Sequence, residues 1–365
     1  MANRQQSLKE LVAQCDRFLA GDGRRTTESL LEQISPKSGL DVYGNGGVVT
    51  ELEEFIASML GKEKALFMPT GVMTQQATLR VLTDHAKNPR VAFHPMCHLR
   101  THEENAFERL HALQEVIATG GWPQEPVTLE SLKAIKEPIG VLLLELPQRD
   151  TGGYLPTWNE LIAQTKWARK NGVALHLDGA RLWEAAPYYA ATAQKSIKDI
   201  CSLFDTVYVS FYKGLGGISG SCVAGKASII DEVSLWRTRH GGRAYMLWPY
   251  AASAFQVVKT RPKDMAVYYR RAVSLSKKLR TIEGIEVLPD EVRSPLMHLR
   301  FSATAKEMET RVRKIAKEQK VMTLPGIFLS ESTQLQRYEY QIGRASMQFS
   351  LNEMVAIFRQ LAGHY

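Results

Sequence analysis

The stretch Val207-Tyr-Val-Ser-Phe-Tyr-Lys-Gly-Leu-Gly-Gly217 constrains this chain more than any other. Val207 and Val209 are β-branched, Tyr208 and Phe211 are aromatic, and the run breaks at Lys213-Gly214, so it predicts a buried strand that delivers a lysine to a glycine-rich turn. An amine that is desolvated, or that lies near another cation, becomes a nucleophile able to form a Schiff base. The glycines that follow leave room for a flat ligand against bare backbone. Lys-Gly also opens ordinary surface turns, and taken alone the stretch fits that reading equally well.

A second stretch, Val173-Ala-Leu-His-Leu-Asp-Gly-Ala-Arg181, decides between them. It reads as a short apolar strand ending in Asp178-Gly179. A carboxylate at the carboxyl end of a parallel strand faces the crevice where open α/β sheets bind ligands. An Asp at that place suits pyridoxal phosphate, because it keeps the pyridine nitrogen protonated and the ring able to absorb a carbanion. Asp-Gly alone is a turn signal and Arg181 alone a surface charge. Both strands together are harder to explain that way.

HLDGAR at 176–181 and YKGLG at 212–216 resemble the signature strands of the threonine aldolase and β-eliminating lyase group. Two further blocks are similar in the same order: DVYGNGGVVTELEEFIASMLGKEKALFMPTGVMTQQ at 41–76 and LLLELPQRDTGGYLP at 142–156. The resemblance covers residues 40 to 260 well and the rest loosely. It implies an α/β fold of the aspartate aminotransferase-like type (fold type I, PLP-dependent transferase-like), with a mostly parallel central sheet flanked by helices and a small α+β carboxy-terminal domain. The domains expected are 1–40 as an amino-terminal helix and arm, 41–260 as the large cofactor-binding domain and 261–365 as the small one. Pyridoxal 5'-phosphate is the cofactor implied, and a homodimer or homotetramer the assembly.

Ala65–Met68 reads as a strand and Pro69-Thr-Gly-Val-Met leads into a helix through about Leu82. Such a turn points free backbone N–H groups and the positive helix end at an anion, so Thr70, Gly71 and Val72 are the expected phosphate cradle, with Ser210 adding a hydroxyl. Thr50 and Glu53 look like a capping box opening the preceding helix. His94, His98 and His102 are four apart, a metal-like spacing, but Pro95 breaks the helix that would align them, and no metal is expected. The resemblance implies that His98 stacks on the cofactor ring. It also places a histidine in the loop after strand 141–146, where this chain has Gln148, followed by Arg149. Arg344, expected just before a strand over 345–349, matches the family's carboxylate-binding arginine, with Arg181 the other candidate; a planar guanidinium makes two parallel bonds to a carboxylate.

Composition adds little. The 365 residues exceed one typical domain, and 44% hydrophobic content is ample for a core. The formal charge of +8 is scattered rather than clustered, and the basic run at 311–320 keeps apolar Val312 and Ile315 at helical spacing, which argues against nucleic-acid binding. Cys15, Cys97, Cys201 and Cys222 lack metal-like spacing and suit reduced thiols in the cytoplasm. No stretch is long and apolar enough for a membrane span, and the polar start is no signal peptide.

The function expected is a lyase: cleavage of a β-hydroxy-α-amino acid such as L-threonine or L-allo-threonine to glycine and an aldehyde, with Lys213, Asp178 and His98 as catalytic residues. β-Elimination at the same site, with Lys213 removing the α-proton, is the alternative. A non-catalytic binding protein is the third reading, and the retained Lys213, Asp178 and phosphate turn argue against it.

Overall fold

Strand formation is driven by runs of β-branched and aliphatic residues that need cover on both faces. A computed structural model describes residues 8–119, 125–324 and 329–364 of the chain. They fall into two compact units, Thr27–Lys263 and the combination of Met1–Thr26 with Asp264–Tyr365. Residues 8–26 thus cluster with the carboxy-terminal segment, and 27–40 with the larger unit.

The larger unit is built on seven strands: β1 (Lys64–Met68), β2 (Arg90–Phe93), β3 (Gln114–Ile117), β4 (Val141–Glu145), β5 (Ala174–Gly179), β6 (Thr206–Ser210) and β7 (Ser221–Gly225). Their order across the sheet is β1-β7-β6-β5-β4-β2-β3. All pairings are parallel except those of β7, which runs antiparallel to both β1 and β6. Helix α1 (Gly47–Leu60) precedes β1, and α2 (Gly71–Ala86) follows it through a tight turn. Every residue of β4 and of β6 is buried. On β5, Leu175 and Leu177 alternate with His176 and Asp178, so the polar pair shares the face on which Gln75 of α2 packs.

The smaller unit carries a four-stranded antiparallel sheet: β8 (Ile285–Leu288), β9 (Leu296–Ser302), β10 (Leu329–Ser332) and β11 (Leu335–Gln341), in the order β10-β11-β9-β8. Its helices run over Met265–Leu279, Ala305–Gln319 and Leu351–Ala362, the last capped by Ser350 and Glu353 in a reciprocal box. The fold is α/β with a mostly parallel central sheet flanked by helices, and a small antiparallel-sheet domain.

Three local expectations are corrected. Apolar residues at 8, 11, 12, 18 and 19 read as a short amphipathic helix over 8–19, but the helix stops at Gln14 and Arg17–Phe18 instead pairs in parallel with Val321–Met322. Thr50 and Glu53 do not open α1, which begins at Gly47; the Glu53 carboxylate instead accepts the Phe67 N–H at 2.7 Å. No strand spans 345–349. Ser346–Gln348 is a 3₁₀ turn, and the strand lies earlier, at β11, whose alternation of buried Gln336, Tyr338 and Tyr340 was not recognised. The sequence also reads as a strand near 326–330; of this, 326–328 lie outside the described residues and 329–330 open β10.

Leu177 is fully buried at the centre of the sheet. Leu177→Ala should lower unfolding stability by about 3 kcal/mol, the usual cost of a truncated core leucine. Urea denaturation with an unchanged m-value measures it.

Candidate active site

Asp178 ends β5 with its carboxylate buried. Gln75 Nε2 donates to Oδ2 and the Ala180 N–H donates to Oδ1 at 3.0 Å. The Gln75 carbonyl faces His176 Nε2 at 2.7 Å, and His176 Nδ1 faces Thr206 Oγ1 at 2.7 Å. Burial drives the His176 imidazole down to about 3, so it stays neutral, with Nε2–H donating to Gln75 and Nδ1 accepting from Thr206. The chain Thr206–His176–Gln75–Asp178 therefore fixes which end of the Gln75 amide meets the carboxylate. Burial raises the Asp178 pKa, and its hydrogen bond from Ala180 works against that rise. A cationic ring nitrogen beside it would favour the ionised form.

The turn into α2 lies on the same side of the sheet. Thr70 caps α2, its hydroxyl accepting the Met73 N–H at 3.2 Å, which leaves the first N–H groups of a sixteen-residue helix outside the helical ladder. The Ser210 hydroxyl is buried with no hydrogen-bond partner among the described residues. A Cβ at Gly71 would stand 2.1 Å from the Tyr208 hydroxyl and 3.4 Å from that of Tyr212. Glycine here is required by close approach, and backbone N–H groups and hydroxyls converge on one small volume.

Lys213 sits in the connection between β6 and β7. The Gly216 N–H donates to the Lys213 carbonyl at 2.9 Å, and Gly217 N–H to the Phe211 carbonyl at 2.7 Å. Gly214 N–H donates to Glu184 at 3.2 Å, and Trp183 Nε1 donates to the Ser210 carbonyl at 3.1 Å. The ammonium lies 5.1 Å from the Tyr212 ring centroid, and its charge acts on His98, Glu103 and Asp178.

His98 opens a one-turn helix, His98–Thr101, whose first N–H donates to Glu145 Oε2 at 3.1 Å. Glu145 is the register partner of Asp178 on the neighbouring strand, so this bond ties the start of the His98 helix to the strand end beside Asp178. His98 Nδ1 lies 3.0 Å from Glu103 Oε1, and Gln76 donates to the other Glu103 oxygen at 2.8 Å. Burial lowers His98 to about 4, with Glu145 opposing and Lys213, Arg149 and Arg181 assisting. Gln148 is committed elsewhere: its Nε2 donates to the Met96 carbonyl and to Glu145, both at 3.0 Å. His102 is half-exposed, its ring centroid 5.1 Å from that of His98, and its Nε2 lies 2.8 Å from Asp150 and 3.1 Å from Arg149. Among the described residues no group of three or more His, Cys, Asp or Glu could hold a metal ion.

The larger unit thus brings together Thr70, Gly71, Val72, His98, Asp178, Arg181, Ser210 and Lys213. Arg181 is buried, its charge acts on Asp178, His98 and Tyr212, and its Nε has no hydrogen-bond partner among the described residues. Arg344 belongs to the smaller unit, where its backbone N–H donates to Asp22 at 3.3 Å. The Gly-rich segment after Arg239 forms a helix end, with Gly242 N–H on the Arg237 carbonyl at 2.8 Å and Gly242 packed on Met73. Sequence reasoning missed Gln75, Gln76, Glu103 and Tyr208. The first two had a signal: adjacent glutamines one turn into a helix that starts at an anion turn. These residues fit pyridoxal phosphate, with an anion turn at one end, a buried carboxylate at the other, and a lysine and an imidazole near that carboxylate.

Gly71→Ala should distort the turn and weaken pyridoxal phosphate binding by about tenfold or more, since one lost charge-assisted hydrogen bond is worth about 1.5–3 kcal/mol. Adding Tyr208→Phe removes the nearest clashing atom and should restore part of the thermal stability that Gly71→Ala loses. Cofactor titration and melting curves of the single and double variants check both.

Residues 19–302 match the family described as β-eliminating lyase. Low-specificity L-threonine aldolase 1 of Arabidopsis thaliana is 25% identical over 295 residues, which cover 78% of this chain and 81% of the relative. The low specificity L-threonine aldolase of Escherichia coli is 27% identical over 263 residues, covering 70% and 76%. Among solved structures, a Listeria monocytogenes protein described as a candidate L-allo-threonine aldolase superposes with a TM-score of 0.91 at 35% identity, covering 98% of this chain and 99% of that one. With most of its length matched and the same architecture, the chain belongs to the β-eliminating lyase family.

Proposed function

We propose that the chain is a pyridoxal phosphate-dependent lyase that cleaves the Cα–Cβ bond of a β-hydroxy-α-amino acid, L-threonine or L-allo-threonine, to glycine and an aldehyde. The names of its relatives support that substrate class. The observation that carries the reading is the buried Asp178 carboxylate at the end of β5, on which the charge of Lys213 acts.

The backbone of Thr70, Gly71 and Val72, with the Ser210 hydroxyl, would hold the cofactor's phosphate, Asp178 would supply the carboxylate for its ring, and Lys213 the anchoring amine. Bound there, pyridoxal phosphate acts as a sink for the electron pair left at Cα. Arg181 is our assignment for the substrate carboxylate, because its buried guanidinium retains an unpartnered Nε; Arg344, on the smaller unit, is the alternative. His98, neutral because burial disfavours its charged form, would lie against the cofactor ring and accept the β-hydroxyl proton as the aldehyde departs. Gln148 cannot act as the base in that transfer, an amide being too weak a proton acceptor, and its Nε2 is held by Met96 and Glu145.

Assembly follows from an exposed apolar face of the larger unit. Leu40, Val42, Tyr43, Tyr245 and Met246 are all solvent-exposed. Tyr43 N–H donates to the Tyr245 carbonyl at 2.8 Å, and the two rings meet edge to face. A second copy covering this face gives a homodimer, and a tetramer requires a second, distinct interface. Among the described residues no helix is long and apolar enough to cross a membrane.

Two measurements test these assignments. Wild type should release glycine from L-allo-threonine, while His98→Phe should keep the yellow cofactor yet lose about 10²–10⁴-fold in glycine release, the usual worth of a general base. Pyruvate from L-serine as the main product, hardly changed by His98→Phe, would favour β-elimination. Sedimentation at micromolar concentration should show a dimer or larger, and Tyr245→Glu should shift it toward monomer. A fully active wild-type monomer would remove the assembly claim.

A further inference from the structure

Glu103 is held in a way the reaction described so far does not use. It lies between exposed His102 and exposed Glu104, yet only 1% of its side chain is accessible. The two residues after it, Glu104 and Asn105, both take left-handed backbone (φ 51° and 56°), a conformation costly for side-chain-bearing residues. The chain turns sharply at the place where this carboxylate is aimed inward. One oxygen accepts from Gln76 at 2.8 Å and the other lies 3.0 Å from His98 Nδ1. Neither oxygen is left for solvent.

We propose that Glu103 is a positioning residue for His98: its carboxylate accepts the Nδ1–H, fixing the tautomer that carries its lone pair on Nε2, the atom that meets the substrate hydroxyl. This rests on His98 being the proton acceptor. Gln76 makes the assignment directional, because its amide N–H can pair only with an acceptor, and an ionised Glu103 then has only acceptors to offer Nδ1. A neutral imidazole donating from Nδ1 must keep its lone pair on Nε2. When Nε2 takes the hydroxyl proton, the imidazolium forms against an anion already in contact, as a carboxylate serves the histidine of a catalytic triad. The proton leaves substrate oxygen for Nε2 and the O–H pair becomes the aldehyde carbonyl, with the Glu103 carboxylate against the ring as its charge forms.

Glu103 faces His98, His102, Lys213, Asp178, Tyr208 and Cys97. Burial raises its carboxyl to about 7, with Gln76, His102 and Lys213 pulling the other way. A protonated Glu103 cannot hold both donors, so kcat should fall as pH drops through about 7. Glu103→Gln keeps a hydrogen-bonding group of the same shape and removes that titration.

The test uses the holoenzyme. With ¹⁵N-histidine labelling, the His98 resonance, assigned by its loss in His98→Phe, should show Nδ1–H in wild type and a mixed or Nε2–H tautomer in Glu103→Ala. Glu103→Gln should retain the cofactor spectrum and a KM within about twofold, lower kcat about ten- to hundredfold, and flatten the acid limb of the kcat–pH profile. A wild-type Nε2–H tautomer, or Glu103→Gln with wild-type kcat and an unchanged acid limb, would overturn the proposal. The tautomer is read without turnover, so it separates this failure from that of His98 as base, which shows as glycine release surviving in His98→Phe.

Discussion

A carboxylate taken out of water costs several kcal/mol unless its lone pairs are met, and the larger unit is arranged around meeting those of Asp178. Gln75 supplies the decisive bond, and the neutral His176, held by Thr206, leaves the amide only one orientation. That commitment fixes α2 against β5. The amino end of α2 is then fixed too, because Gly71 precedes Gln75 by about one turn, roughly 6 Å of helix rise. The separation between the anion turn and the carboxylate is thus set by a single rigid element.

The same helix serves the histidine. Gln76, the next residue, reaches Glu103, and Glu103 reaches His98. His98 is held from below as well, its N–H on Glu145, which also takes Arg149 N–H and Gln148 Nε2. Burial and the nearby Asp178 both raise the Glu145 pKa, so the three donors are what keep its oxygens occupied. Two adjacent strand ends therefore carry two acids with different tasks, one facing the ring site and one bracing a loop.

The backbone of this site was legible in the sequence, and its wiring was not. The lysine strand, the Asp178 strand and the turn at Thr70-Gly71 announce themselves by local chemistry: apolar runs broken by a charged residue, or a strand meeting a helix at glycine. Gln75 and Gln76 are marked only by their place one turn into the helix after that turn, and Glu103 by nothing local; their partners lie 103, 27 and 5 residues away, and only the fold brings them together. Local rules also misled. Thr50 and Glu53 have the spacing of a helix cap, but Gly46 and Gly47 start α1 three residues earlier, and Glu53 is drawn to the Phe67 N–H. In the smaller unit, β11 mixes Arg337, Glu339 and Gln341 with its buried residues, and that polar face concealed a strand whose other face is core.

The reversal of β7 separates the lysine from the rest of the site in one further respect. Ser210 and Ser221 are register partners, so Lys213 lies in a closed connection of ten residues, 211–220. Closing a loop of that length costs about 2 kcal/mol of chain entropy on the logarithmic scale, whereas joining Gln75 to Asp178 across 103 residues costs about 4 kcal/mol. The nucleophile is placed by near neighbours in the chain and the carboxylate by distant ones. The distant contact is the one reinforced by a buried relay of four polar side chains, while the near one manages with a turn and a few glycines.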